Sequence, residues 1–189
     1  MAPLLPTITD LLDDERRGDM APRPDGLCVV CLPLDDLGDV AFWENLRDSG
    51  LHGTPLYYRQ FPERKPERCA AVVSAVVRAR PGGVLVHCGI GRDRTGLVVL
   101  LLLALAGVGA GGHRGRLRPR LLPLFTLLRI DDQLRAIQDI LPCEQATSRA
   151  AVLVTLKGDS AHLRRGGVRE EDLAAVRHRL CTRPMPSVT

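Results

Sequence analysis

Apolar positions along the chain alternate between short continuous runs and stretches with helical spacing. Leu27-Cys-Val-Val-Cys-Leu32, bounded by Gly26 and Pro33, predicts a buried strand. Asp39 stands where a helix cap is needed, and Val40, Phe42, Trp43 and Leu46 follow on a short helix that ends near Gly50. Leu56-Tyr-Tyr-Arg-Gln60, closed by Phe61-Pro62, reads as a second strand. Pro66 then opens a helix on which Cys69, Val72, Val73 and Val76 share one face. Pro81-Gly82-Gly83 breaks it, and Val84-Leu-Val-His87 predicts a third strand. A Gly-rich turn leads into an apolar helix from about Thr95 to Val108. Its apolar run, Leu97–Val108, is twelve residues long. A membrane span takes about 20, so this is a buried core helix.

Strands alternating with helices predict an α/β fold with a central, largely parallel sheet flanked by helices. Residues 1–25, rich in Pro and charge, are expected to pack loosely, and residues 26–189 to form the domain. Within it the core spans 26–108. The Gly- and Arg-rich stretch 109–120 has no apolar period and predicts a loop. A C-terminal helical lobe, 121–189, carries helices at roughly 121–129, 132–141, 147–157 and 170–181, with Asp131 and Thr147 as caps.

Composition narrows the class. The 189 residues are 45% hydrophobic and 25% charged, which is globular rather than disordered or fibrous, and one domain of this size buries a core without staples. Aromatics are only 3%, so Leu, Val and Ala must do the packing. A net charge of +4 from 26 basic and 22 acidic residues is too balanced to argue for nucleic acid as a partner. Only Lys65 and Lys157 are lysines, and this excess of arginine fits the codon bias of a GC-rich bacterial genome. The start, with Pro3, Pro6 and acids ahead of any apolar run, does not read as a secretory signal, so a cytoplasmic address without membrane insertion is expected. In that compartment the six cysteines are thiols. Cys28 and Cys31 suggest half of a zinc site, but with no second pair they read as buried structural thiols, and no metal is expected.

One segment carries chemistry. His87-Cys-Gly-Ile-Gly-Arg-Asp-Arg-Thr-Gly96 joins a predicted strand to a predicted helix, with five residues between Cys88 and Arg94. Gly89, Gly91 and Gly96 permit tight turns and close approach. Such a loop at a helix N-terminus turns backbone N–H groups inward and binds an anion. Gly89, Ile90, Gly91 and Arg92 supply the cradle, and Arg94 adds a bidentate guanidinium. A cradle of this kind fits a phosphate. Cys88 at its base sits in a field that favours the thiolate, a nucleophile for in-line attack on phosphorus. The product is a phosphocysteine. Thr95 is placed to donate to the sulfur and ease its departure, and His87 to orient the cysteine backbone.

The His-Cys-x5-Arg-Thr-Gly pattern resembles the signature loop of cysteine-dependent protein tyrosine and dual-specificity phosphatases, and the ending Asp93-Arg94-Thr95-Gly96 looks most like the bacterial tyrosine-protein phosphatase group. Ile90 and Arg92 stand where that group usually has Ala and Lys. The segments around Thr147 and from Asp172 to Leu180 are similar too. The resemblance implies a phosphatase that hydrolyses phosphotyrosine, with other phosphomonoesters as further substrates, without cofactor or metal. Its partner is then a phosphorylated protein or a small phosphomonoester. It also implies a carboxylic acid that protonates the leaving group. Asp93, inside the matching motif, is favoured over Glu63, which lies 25 residues before Cys88 in an irregular Pro-flanked loop.

The chain departs from that group at Gly109–Arg116, where a helical segment is usual. Two alternatives therefore stand beside the first reading: a non-hydrolysing phosphate-binding module and a phosphoinositide phosphatase. Arg92 is either a solvated loop residue or a contact to a second phosphate. Arg114, Arg116, Arg118 and Arg120 are either a solvated loop or a lip that attracts anions. Tyr57 and Tyr58 read as strand packing rather than a substrate wall. The oligomeric state is left open.

Overall fold

A computed structural model describes residues 7–12, 22–52, 57–89, 91, 93–106 and 159–181. In chain order these form β1 (Thr7–Asp10), β2 (Cys28–Cys31), α1 (Val40–Asp48), α2 (Tyr57–Arg64), α3 (Pro66–Arg78), β3 (Val84–His87), α4 (Asp93–Leu105), α5 (Asp159–Arg165) and α6 (Glu170–Cys181). The three strands make one parallel sheet in the order β2-β1-β3. The α/β architecture is therefore the expected one. The expected loop 109–120, the helices within 121–157 and the caps Asp131 and Thr147 lie outside the described residues.

The centre of the sheet is a surprise. Residues 7–12 fall in the segment expected to pack loosely, yet Thr7–Asp10 is buried along its whole length between two parallel neighbours. Its sequence, Thr-Ile-Thr-Asp, offers a single aliphatic residue and no apolar run. Pairing on both edges satisfies the backbone, and the β-branched threonines pack as Val would. Thr7 and Thr9 share a face with Val84 and Val86, which pack on the main core. Burial also corrects the reading of β2. Cys28–Cys31 alternates between half-buried and exposed, with Val29 and Cys31 exposed. It is an edge strand among the described residues, so its cysteines are not buried thiols.

Helix α1 forms as expected: the Asp39 carboxylate accepts from the Phe42 amide at 3.3 Å, and Trp43 and Leu46 are buried. Gly50 leaves it at φ +69°. Tyr57–Gln60, expected as a strand, is instead the first turn of α2, which runs on through Pro62. Two adjacent tyrosines favour a strand by propensity, but Tyr57, Tyr58 and Phe61 are all buried, which helical spacing brings to one face. Helix α3 buries Cys69, Val72, Val73 and Val76, the predicted face. Helix α4 is apolar nearly all round and buries Leu97, Val98, Leu100, Leu101, Leu102 and Leu105. Among the described residues no helix is long and apolar enough to cross a membrane.

The C-terminal helices lock this core. Helix α6 appears where predicted, and α5 precedes it without having been expected. Leu163, Val168, Leu173 and Val176 join the same core cluster as α3 and α4. Arg179 on α6 donates to the carbonyls of Ala79 at 3.0 Å, Arg80 at 2.8 Å and Gly82 at 2.9 Å, capping the break after α3 that leads into β3. Asp172 receives Arg78 at 2.7 Å and Arg169 at 3.3 Å, which lowers its pKa, Arg78 being the stronger cause. Gly166 passes so close to α3 that a Cβ there would lie 2.1 Å from the Pro66 carbonyl oxygen.

Among the described residues, the buried hydroxyls of Thr7 and Thr9 have no hydrogen-bond partner. Replacing either by Val keeps the shape and removes an unpaired polar atom, so each of Thr7→Val and Thr9→Val is expected to stabilise the fold by about 1 kcal/mol. At this chain length that raises the thermal midpoint by about 2–4 °C. Calorimetry of the two variants checks it, and a lowered midpoint in both would show that the hydroxyls are needed.

Candidate active site

The end of β1 organises the Cys88 loop. The Leu11 amide donates to the His87 carbonyl at 2.9 Å, and the Leu11 carbonyl accepts from Arg94 Nη1 at 3.3 Å. One buried residue therefore touches the residue before the loop cysteine and the arginine that closes the loop. Asp10, fully buried, accepts from the Leu12 amide at 3.0 Å and from Arg23 Nη2 at 3.4 Å. Asp10 and His87 are register partners on adjacent strands, so their side chains leave the same face of the sheet. Arg23 Nη2 lies 3.1 Å from His87 Nε2, and Asp10 Oδ2 lies 3.8 Å from it. A guanidinium only donates, so in this contact Nε2 is the acceptor and the ring proton sits on Nδ1.

Cys88 is buried at the mouth of the loop, and Thr95 Oγ1 donates to its sulfur at 3.2 Å. Gly91 adopts φ +70°, a conformation that favours glycine. Helix α4 starts at Asp93, two residues earlier than expected, because an acid in the first turn suits the positive end of the helix. Asp93 and Arg94 are thus the first residues of a helix, with Thr95 following on the same turn. Gly89 is exposed, while Ile90 and Arg92 lie outside the described residues. Gly96 sits against Tyr58: a Cβ there would lie 2.5 Å from the Tyr58 hydroxyl oxygen. The tyrosines of α2 therefore pack behind the loop, as packing residues on a helix rather than on a strand. Glu63 lies exposed on α2, so the irregular loop from which it would have acted is helical.

Sequence reasoning missed Asp35. It lies on the loop between β2 and α1, and its Oδ2 is 3.3 Å from Arg94 Nη1. Three cations pin the residues around it. Lys65 Nζ reaches Asp36 at 2.7 Å and Asp39 at 2.6 Å, Arg64 reaches Asp39 at 3.0 Å, and Arg68 reaches Asp36 at 3.1 Å. Arg68 also donates to the Pro33 carbonyl at 2.7 Å, and Trp43 Nε1 to the Asp36 carbonyl at 3.1 Å. The latter bond holds Asp36 in its left-handed conformation, φ 52°. The hydrogen bond from Lys65 lowers the Asp36 pKa, and those from Arg64 and Lys65 lower that of Asp39. Burial alone would depress Lys65, but the two carboxylates outweigh it and raise it. Apart from the cap at Asp39, the run Leu34-Asp-Asp-Leu-Gly-Asp39 carried only the signal of its acids, which resembles a solvated turn.

Two other groups frame the site. Burial, with Tyr58, Asp35 and Asp93 nearby, raises the Tyr57 hydroxyl well above its ordinary value, and among the described residues that hydroxyl has no hydrogen-bond partner. Burial pushes the Cys69 thiol up to about 12, so it is an inert core thiol, as its helix face implied.

Comparison with known proteins decides the kinship. A family model described as the tyrosine phosphatase family matches residues 6–111, from the entry of β1 past the end of α4. The chain belongs to the tyrosine phosphatase family. The phosphatase is also 34% identical over 209 residues to the triple specificity protein phosphatase PtpB of Mycobacterium tuberculosis, covering 90% of this chain and 71% of that protein. The protein is thus a protein-tyrosine phosphatase, and the alternative of a non-hydrolysing phosphate-binding module is not favoured. The matched region contains β1, the Asp35 loop and the Cys88 loop together.

Two outcomes test this geometry. Gly96→Ala is expected to cost about 1–3 kcal/mol, because the buried Tyr58 ring must yield. In a Tyr58→Phe background the nearest ring carbon is 3.4 Å away and most of that cost disappears. A double-mutant cycle by urea unfolding measures it, and additive costs would refute the clash. The second outcome concerns acid. Asp36, Asp39 and Asp172 have folded-state pKa values below their ordinary 3.8. Their pairing stabilises the fold fully above pH 3.8 and is lost as pH falls through the lower folded values. Asp36→Asn is expected to flatten the fall of the thermal midpoint below pH 4, and an unaltered slope would refute the pairing.

Proposed function

We propose that the phosphatase works through a phosphocysteine intermediate formed on Cys88. The observation that carries this reading is the Thr95 hydroxyl, 3.2 Å from the Cys88 sulfur, at the start of a helix whose first turn also carries Asp93 and Arg94. In the first step the Cys88 sulfur attacks phosphorus, the S–P bond forms as the ester P–O bond breaks, and Asp93 gives its proton to the leaving oxygen. In the second step water attacks phosphorus, Asp93 takes a proton from it, and the S–P bond breaks, returning the thiolate and free phosphate. Thr95 donates to the departing thiolate. Backbone amides of Gly89, Ile90, Gly91 and Arg92 cradle the phosphate oxygens with the Arg94 guanidinium, so the loop itself supplies the positive charge and no cofactor or metal is called for.

Phosphotyrosine is the substrate class. Kinship with a protein described as a triple specificity protein phosphatase supports a range of phosphomonoesters wider than phosphotyrosine. The arginine-rich composition supports a bacterial origin, and a cytoplasmic address is part of the same reading.

Cys88→Ser is expected to abolish turnover of p-nitrophenyl phosphate while keeping the phosphate cradle, because the loop field is far too weak to ionise a serine hydroxyl. Asp93→Asn is expected to slow phosphotyrosine peptides by about 10²–10⁴. An aryl phosphate whose phenol is very acidic should be slowed far less, since its leaving group needs no proton. Steady-state kinetics across leaving groups reads both. Substantial activity in Cys88→Ser refutes the phosphocysteine, and a defect that follows Glu63→Gln instead of Asp93→Asn moves the acid to α2.

A further inference from the structure

We propose that Asp35 is a positioning residue that sets the orientation of the Arg94 guanidinium for phosphate binding, an inference that rests on the reading of Arg94 as the phosphate-binding arginine. Two acceptors, the Leu11 carbonyl and Asp35 Oδ2, each lie 3.3 Å from the same nitrogen, Arg94 Nη1. Holding one nitrogen of a planar fork from two directions fixes the plane of the whole group. A bidentate pair with a phosphate needs that plane fixed in advance. Both side chains are mostly sheltered, Asp35 at 17% and Arg94 at 19% exposure, so water competes weakly for the pair.

Asp35 is itself held to this task. Arg68 bonds the Pro33 carbonyl on one side of it and the Asp36 carboxylate on the other. Leu34 is fully buried between them. Trp43 and Lys65 secure Asp36 further. The acid that faces the loop arginine therefore stands between anchored neighbours. Among the described residues, the charged and titratable groups of this region include Asp36, Asp39, Lys65 and Arg68 from the clamp, Arg94 and Asp93 from α4, and Tyr57 from α2.

The sign of the effect makes the proposal testable. Coulomb's law alone says that removing a carboxylate beside an anion site tightens anion binding. Positioning says the reverse. In Asp35→Ala, kcat/KM for p-nitrophenyl phosphate is expected to fall and the vanadate inhibition constant to rise, each by about 10- to 100-fold, the scale of a misplaced binding group. Asp35→Asn keeps an oxygen acceptor for Nη1 and is expected to recover most of both losses. Should Asp35→Ala fail to fold, Asp35→Ser, whose hydroxyl is too short to reach Arg94, carries the same comparison. Arg94→Lys serves as the reference and is expected to weaken vanadate strongly. Vanadate affinity unchanged or tighter without the Asp35 carboxylate, while Arg94→Lys weakens it, overturns the positioning role and leaves the phosphate-binding reading intact. A lowered thermal midpoint without change in vanadate affinity does the same, marking Asp35 as structural. If Arg94→Lys leaves vanadate affinity unaltered, the phosphate-binding reading falls and the role of Asp35 falls with it.

Discussion

Everything at the site depends on how β1 ends. A parallel strand paired on both edges delivers its last residues to the same level as the ends of its neighbours, and the next amide and carbonyl then decide what is held there. In this protein they are those of Leu11, bonded to the His87 carbonyl at 2.9 Å and to Arg94 Nη1 at 3.3 Å. The loop that carries Cys88 is thereby tied at both ends to one buried residue. Asp10 fixes the same corner by bonding the Leu12 amide and facing Arg23 and His87. Leu32 donates to the Asp10 carbonyl at 2.8 Å, so the chain leaving β2 toward Asp35 starts from this corner too.

Electrostatics then sorts itself into layers. Outermost, Arg64 and Arg68 with the nearly buried Lys65 neutralise Asp36 and Asp39, which fastens the β2–α1 loop to the α2–α3 junction. Exposed pairs of this kind contribute little to stability one by one, and their value here is geometric. Innermost, Asp35 and the Leu11 carbonyl share Arg94, and Thr95 faces the Cys88 sulfur. Behind them the aromatic residues of α1 and α2 form a wall: Phe42, Trp43, Tyr57 and Phe61 meet edge to face or tilted with ring centres 5.1–6.1 Å apart. With only 3% aromatic residues, the chain concentrates many of them here.

How much of this was legible in advance depends on whether the cause is local. The Cys88 loop was legible because its constraints lie within ten residues: a strand before it and a helix after it, glycine where φ is positive, and a cysteine and an arginine at fixed spacing. Helices α1, α3 and α6 were legible because apolar spacing and caps are local signals. Tyr57–Arg64 was misread because two neighbouring tyrosines favour strand by propensity, while their burial on one side of a helix against Phe42, Trp43 and Gly96 is a tertiary matter.

The sequence by itself determined the α/β class, the kinship carried by the Cys88 loop and the faces of α1 and α3, since each follows from residue type and spacing along a single segment. Only the tertiary structure decided that Thr7–Asp10 is the centre of the sheet, because its stability comes from pairing partners twenty-one and seventy-seven positions away rather than from its own residues. The same holds for Asp35. An acid in a turn is indistinguishable from a solvated one until the fold carries it across fifty-nine positions to Arg94, where charge and distance, not sequence, give it a partner.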